Sequence, residues 1–221
     1  SKKVLSGEWE ADRISLRKPE DLAKLNIDWK LGSAATSLNT ITRTITLASG
    51  ETIAFDGLII ATGSGVRKLP NQPDWKGVHV VRTLDDSLAL RANLNPGARV
   101  VVIGAGFIGL EVVATAKNRG CEVTVLEGAP APMMRGLGAD MGHAAALVHT
   151  DHGVSMRFNV KVAGLTEGEA GCVGGVALDD GEIVPADVVV VGIGVAPATQ
   201  WLENTELELR DGVVCDTTLN A

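Results

Sequence analysis

Apolar and polar positions alternate at period two in three short runs near the start of the chain. "AATSL" (34–38), "TRTITL" (42–47) and "ETIAF" (51–55) are separated by turn residues at Asn39-Thr40 and Ser49-Gly50. This pattern predicts a three-stranded antiparallel meander. Elsewhere the apolar residues run together, as in strands buried on both faces. "GLIIATG" (57–63), "RVVVIG" (99–104), "CEVTVLE" (121–127) and "ADVVVVGIG" (186–194) are such runs. Helical patterns are expected at "PEDLAKL" (19–25), with Pro19 at its entrance, over 107–119 with Gly120 closing it, and around 139–152. Strands near 154–164, a hairpin over 172–184 turning at Asp179-Asp180-Gly181, and short strands in 206–221 complete the reading. Asp56 and Asp187 each precede an apolar run ending in glycines, an echo that suggests two related nucleotide domains, one nested in the other.

The run at 99–104 leads into Gly104-Ala105-Gly106-Phe107-Ile108-Gly109. A Gly-x-Gly-x-x-Gly turn between a strand and a helix is a dinucleotide fingerprint. Gly104 permits the tight turn, Gly106 lets backbone approach a pyrophosphate, and Gly109 allows close helix–strand packing. The helix N-terminus beyond it favours anions. Glu127 ends the next strand, 18 residues past Gly109, where a carboxylate accepts the ribose hydroxyls. A carboxylate repels a 2′-phosphate, and Gly128-Ala129 add no cation, so NAD is favoured over NADP. Arg135 lies farther along and can still swing in. Glu111 is the only ionisable residue between Val101 and Ala116. A helix apolar all round is buried, so this carboxylate is expected to be partly desolvated and to need a cation. It is open to three roles: structural ion pair, helix-dipole carboxylate, or residue at the nicotinamide end of the cofactor.

Composition narrows the partners. The 221 residues carry net charge −7, with 45% hydrophobic and 21% charged residues, ordinary for a globular α/β protein. A nucleic-acid or anionic-membrane partner needs clustered Lys and Arg, which are absent. Cys121, Cys172 and Cys215 are odd in number and far apart, which excludes a disulfide framework and a CxxC site and suits a reducing cytoplasm. No apolar run is long enough to span a bilayer. His143, His149 and His152 lack a carboxylate-rich or Cys partner, so no metal site is expected. Trp9, Trp29, Trp75 and Trp201 are scattered and read as packing residues.

The ordered set "SKKVLSG" (1–7), "DGLIIATGSGVRKLP" (56–70), "VHVVRTLDD" (78–86), "VVIGAGFIGLEV" (101–112), "ADVVVVGIGVAP" (186–197) and "GVVCDTTLNA" (212–221) resembles the FAD- and NAD-dependent ferredoxin reductases of oxygenase and cytochrome P450 systems. The resemblance covers essentially the whole chain. It implies an α/β, glutathione-reductase-like fold, with a Rossmann-type NAD domain inserted in a partial FAD domain. Residues 1–85 and 206–221 would belong to the FAD domain and 86–205 to the NAD domain. The FAD fingerprint is then expected before residue 1 and an interface domain after residue 221, so the chain reads as a fragment.

The same resemblance assigns individual roles. Lys2 matches a lysine beside the flavin N5 edge, and Glu111 matches its ion-pair partner, the two together forming the catalytic pair. Ala35, Thr62, Gly63 and Arg82 match FAD contacts. Arg82 also reads, on its own, as a surface arginine beside Asp85 and Asp86. Gly104, Gly106, Phe107, Ile108, Gly109, Glu111, Glu127, Arg135, Gly192, Ile193 and Gly194 match the NAD cleft. The implied activity is hydride transfer from NADH to FAD and then single electrons to a [2Fe–2S] ferredoxin. Two alternatives stand beside it: an NADH oxidase, peroxidase or disulfide-reductase relative, and an apoptosis-inducing-factor-like redox protein. The first needs a cysteine beside the flavin, and none precedes Cys121; the second is disfavoured by the negative charge where it calls for nucleic-acid binding.

Overall fold

The computed structural model describes residues 2–169 and 171–221; Ser1 of "SKKVLSG" lies outside them. In chain order the elements are α1 (Lys2–Ser6), α2 (Pro19–Leu22), β1 (Ala35–Asn39), β2 (Thr44–Leu47), β3 (Thr52–Ala54), β4 (Ser64–Val66), β5 (Val78–His79) and α3 (Leu84–Asn93). They continue with β6 (Arg99–Ile103), α4 (Phe107–Asn118), β7 (Glu122–Leu126), α5 (Met134–Asp151), β8 (Ser155–Arg157), β9 (Val162–Glu167) and β10 (Val173–Leu178). The last are β11 (Ile183–Pro185), β12 (Val188–Val191), β13 (Val195–Pro197), β14 (Leu209–Arg210) and β15 (Gly212–Val213).

Two compact units form, one from residues 1–14 and 66–194, the other from 15–65 and 195–221. Packing draws segments from both sides of residue 86 into the larger unit. Strand β5 pairs in parallel with β12, and Leu5 of α1 is buried in the same cluster as Leu90 of α3 and Leu110 of α4. Segments preceding residue 86 therefore supply core to the larger unit.

The larger unit is built on a parallel sheet of order β5-β12-β6-β7-β8. Its strands are apolar without alternation because both faces are covered. Val100, Val102, Val123, Val125, Val188 and Val190 face Leu90, Leu94, Leu110, Val113 and Ala116. The intervening Val101, Ile103, Val189 and Val191 pack with Val173, Val176, Leu178 and Val184 of the β9–β11 antiparallel sheet. Truncating one of the fully buried leucines to alanine costs about 2–5 kcal/mol in such a core.

Local signals set the helix ends. Thr83 accepts the Asp86 N–H at 3.1 Å while Asp86 accepts the Thr83 N–H at 2.8 Å, a capping box that starts α3. Asp86 also accepts the Arg82 N–H at 2.9 Å. Helix α4 ends at Arg119 and Gly120, where φ is +83°, as glycine at this position allows.

The smaller unit holds the expected meander β1-β2-β3, with Leu38 opposite Ile45 and Thr46 opposite Thr52. Asn39 Oδ1 accepts the N–H groups of Ile41 and Thr42 and shapes the first turn. Residues 57–63 are a correction: they form no strand, and Ile59 is 90% exposed. A buried strand needs a ladder partner on its edges, and among the described residues none pairs with this segment. Only the Asp187 half of the echo is therefore a strand.

The starts of β6 and β12 are tied by a bidentate pair. Asp187 accepts from Arg99 N at 2.8 Å, Nε at 3.1 Å and Nη2 at 2.5 Å, and returns its own N–H to Arg99 O at 2.9 Å. The Arg99 hydrogen bonds hold the Asp187 carboxyl below the usual carboxylate range. A carboxyl depressed on folding stabilises the fold above its unfolded value of about 3.9 and loses that contribution as pH falls through the folded value. Both side chains are about half exposed, so the effect is modest. Asp187→Asn is expected to lower stability by about 1 kcal/mol at neutral pH, with the difference from the parent shrinking in urea melts below pH 4.

Candidate functional site

The site grows from the end of β6. Gly104 reverses the chain with φ +96°, and its N–H donates to Leu126 O at 2.8 Å. A Cβ on Gly104 would lie 2.5 Å from Gly192 O, and one on Gly109 would collide with Gly104 O. Both positions therefore need glycine for close approach. At Gly106 a Cβ would meet nothing within 4 Å; this is the open side of the turn. Gly106 is the N-cap of α4, and the first N–H groups of a helix have no intrahelical acceptor.

Glu127 closes the other side. Its Oε2 accepts the Ala105 N–H at 2.6 Å and its Oε1 the Ala129 N–H at 2.8 Å. Each oxygen keeps acceptor capacity for a further donor. The carboxylate thus has a fixed orientation before any ligand arrives. A cavity of about 600 Å³ lies over this floor, bordered by Gly104, Gly106, Phe107, Glu127, Arg135, Gly192, Ile193 and Gly194.

Among the NAD-cleft residues expected from sequence, these eight share the cavity lining. Gly109 is buried beneath it, and Ile108 and Glu111 lie outside the lining. Met133, Met134, Val160 and Val162 also line it and were not anticipated, because apolar residues in a Pro-rich loop and a short strand carry no spacing signal.

Glu111 corrects the expectation of burial. It is exposed, with Phe107 59% and Ile108 45% exposed beside it. These three positions, spaced by three and four, form one outward face of α4, while Leu110, Val112, Val113 and Ala116 are buried. The expected Lys2–Glu111 ion pair is not formed: Lys2 is exposed, and no pair within 4 Å joins them. A hydrated carboxylate has no desolvation cost to offset, so no partner is required. Lys3 instead lies 4.8 Å from the Trp9 ring centroid and 4.0 Å from Glu8.

The expected FAD contacts are placed within their own units. Arg82 is exposed before α3 in the larger unit. In the smaller unit Thr62 Oγ donates to Ala198 O and Gly63 O accepts the Ala198 N–H, both at 2.9 Å, and Ala35 is half-buried at the start of β1. Among the described residues no cluster of three His, Cys, Asp or Glu is set to hold a metal, and no helix is long and apolar enough to cross a membrane.

A sequence model of the pyridine nucleotide-disulphide oxidoreductases matches residues 1–221. The chain belongs to that family. It is 36% identical over 222 residues to rhodocoxin reductase of Rhodococcus erythropolis, covering 98% of this chain and 51% of the relative. It is also 36% identical over 219 residues to the biphenyl dioxygenase system ferredoxin–NAD(+) reductase component of Paraburkholderia xenovorans, covering 99% and 53%. The structure superposes on the reductase of a covalent putidaredoxin reductase–putidaredoxin complex with TM-score 0.92 and 31% identity, covering 96% of this chain and 52% of that one. The chain thus spans about half the length of the curated relatives it matches. The expected α/β, glutathione-reductase-like class is the fold it shares with them.

The glycines separate fold from binding. Gly104→Ala combines positive φ with a backbone collision, and is expected to lower stability by about 1–3 kcal/mol in thermal melts. Gly106→Ala is expected to leave the melting temperature unchanged while weakening dinucleotide binding measured by fluorescence titration.

Proposed function

We propose that the full-length protein is a cytoplasmic, NADH-dependent flavoprotein reductase that delivers electrons to a [2Fe–2S] ferredoxin of an oxygenase or P450 system. The observation that carries this reading is the glycine turn at the α4 N-terminus, open at Gly106, facing a carboxylate that Ala105 and Ala129 hold in place. The donor set fits a dinucleotide: free helix-terminal N–H groups for the pyrophosphate, and Glu127 acceptors for ribose hydroxyls. Relatives matched over nearly the whole chain are named as a rhodocoxin reductase, a rubredoxin–NAD(+) reductase and the ferredoxin–NAD(+) reductase component of a biphenyl dioxygenase system.

When bound, NADH supplies a hydride and FAD divides it into single electrons. The chain's own residues bind and align. Gly104 to Gly109 hold the pyrophosphate, and Gly192 to Gly194 form the opposite wall. The outward face of α4 with Phe107, Ile108 and Glu111 is left for the nicotinamide end. Lys2, Ala35, Thr62, Gly63 and Arg82 are proposed to contact FAD, all of them half-buried or exposed and so accessible to a ligand. The one Gly-x-Gly-x-x-Gly of this sequence is assigned to NAD. We assign residues 1–85 and 206–221 to an FAD domain and 86–205 to the NAD domain.

Cys121 lies outside the cavity lining and is held as a structural thiol. Burial pushes the Cys121 thiol up, and its Sγ–H donates to Asn95 O at 3.3 Å, conditions that keep a cysteine inert. Cys172 and Cys215 are free, which suits a reducing cytoplasm.

Anaerobic titration of the full-length protein with NADH is expected to bleach the flavin. NADH-driven cytochrome c reduction is expected to rise when a [2Fe–2S] ferredoxin is added. Failure to bleach contradicts the NADH assignment. Bleaching followed by oxygen consumption, with no response to any ferredoxin, favours the oxidase relative.

A further inference from the structure

Helix α1 has five residues, Lys2–Ser6, too few to be stable through its own hydrogen bonds. Packing holds it instead. Val4 and Leu5 are buried, and Leu5 joins the cluster of Leu90 and Leu94 at the end of α3 and Leu110 of α4. Lys2 and Lys3 occupy the exposed side. Among the described residues no carboxylate lies within 4 Å of the Lys2 ammonium. The position of Lys2 is therefore set by the placement of α1 and not by an ion pair.

The C-terminal end of α1 is closed by the last turn of α3. Gly7 turns the chain with φ +88° and donates its N–H to Val4 O at 3.1 Å. A Cβ on Gly7 would stand 3.3 Å from both Cζ and Nη2 of Arg91, so the guanidinium lies against bare glycine backbone. Arg91 Nη1 makes a long hydrogen bond to Val4 O, 3.5 Å. Arg91 is half-buried, and among the described residues no carboxylate lies within 4 Å of it. A cation with no counter-charge at a helix C-terminus is matched to the last carbonyls of that helix. The anchor is itself held in place. Arg119 Nη2 donates to Arg91 O at 3.4 Å and Arg119 Nε to Leu94 O at 3.0 Å, while the Thr83–Asp86 capping box fixes the other end of α3.

We infer that Arg91 is a positioning residue for Lys2: by clamping the end of α1 against α3, it sets where the lysine ammonium meets the flavin. The inference rests on the reading above that Lys2 contacts FAD. The clamped carbonyl of Val4 and Lys2 are two residues apart on one helical turn, about 3 Å of rise. A displacement at the clamp is therefore carried to the lysine. Arg82 stands just ahead of the α3 N-cap, so one helix holds both cations proposed to face FAD. Arg91 acts through α1.

The test uses the full-length flavoprotein and the variants Arg91→Met, which keeps the apolar stem and removes the charge, Arg91→Lys and Lys2→Met. Hydrogen exchange without NADH reads the clamp. Arg91→Met is expected to raise amide exchange over residues 2–7 about tenfold and to leave α4 unchanged. Stopped-flow reduction of the flavin by NADH reads the consequence. Its limiting rate is expected to fall about tenfold in Arg91→Met, with the NADH dissociation constant unchanged, and to recover in part in Arg91→Lys. The double variant is the decisive comparison: Lys2→Met alone should lower the limiting rate, and adding Arg91→Met should lower it no further. Gly7→Ala, which drives a methyl into the guanidinium, should reproduce both effects with Arg91 intact, so the test does not hang on one variant folding. An Arg91→Met loss that persists in full on the Lys2→Met background would make Arg91 a purely structural residue and overturn the inference. Exchange over 2–7 equal to that of the parent would also overturn it. If Lys2→Met reduces its flavin as fast as the parent, the assignment of Lys2 to FAD fails, and the inference falls with it.

Discussion

The larger unit depends on the approach of three backbones at Gly104. The Gly104 N–H is bound to the end of β7 through Leu126 O, Gly192 N–H is bound to Ile103 O, and α4 passes so close that Gly109 has no room for a side chain. This contact sets the angle at which α4 leaves β6, and so where its first N–H groups point. It also brings the ends of β6, β7 and β12 to one edge of the sheet, where the cavity opens. Ligands in open parallel sheets bind at the carboxyl ends of the strands for this reason.

Glu127 adds an oriented carboxylate to that geometry. Its two hydrogen bonds span the glycine turn and the chain after β7, so the carboxylate both braces the turn and presents itself to the cavity. A side chain fixed by backbone donors loses little entropy on binding. The order of construction is therefore fold first: glycines admit close packing, and packing positions the Glu127 carboxylate at the cavity, where we propose that it reads the ribose.

Much of this was legible in the residues. The run 99–127 carries strand, turn, helix and second strand in one continuous pattern, and the period-two meander at 35–54 was equally clear, because local spacing alone determines them. The failures have a common cause. Residues 57–63 have the composition of a buried strand, but composition does not supply a neighbouring strand. Glu111 sits among apolar residues in sequence, yet its neighbours Phe107 and Ile108 share its outward face and leave it hydrated. Burial is set by what covers an element, and sequence pattern reports only what the element could bury. The first turn of α5 lay outside the helix expected around 139–152, because Gly138, with φ +75°, interrupts the helical pattern there.

The central claim is that Glu127, braced by Ala105 and Ala129, selects the dinucleotide at its ribose. The most direct measurement is the ratio of NADPH to NADH dissociation constants for the full-length protein and for Glu127→Gln, which removes the charge and keeps one acceptor oxygen. The account predicts a parent ratio of about tenfold or more in favour of NADH, falling toward unity in the variant. A parent that binds both equally, or a variant with an unaltered ratio, would contradict it.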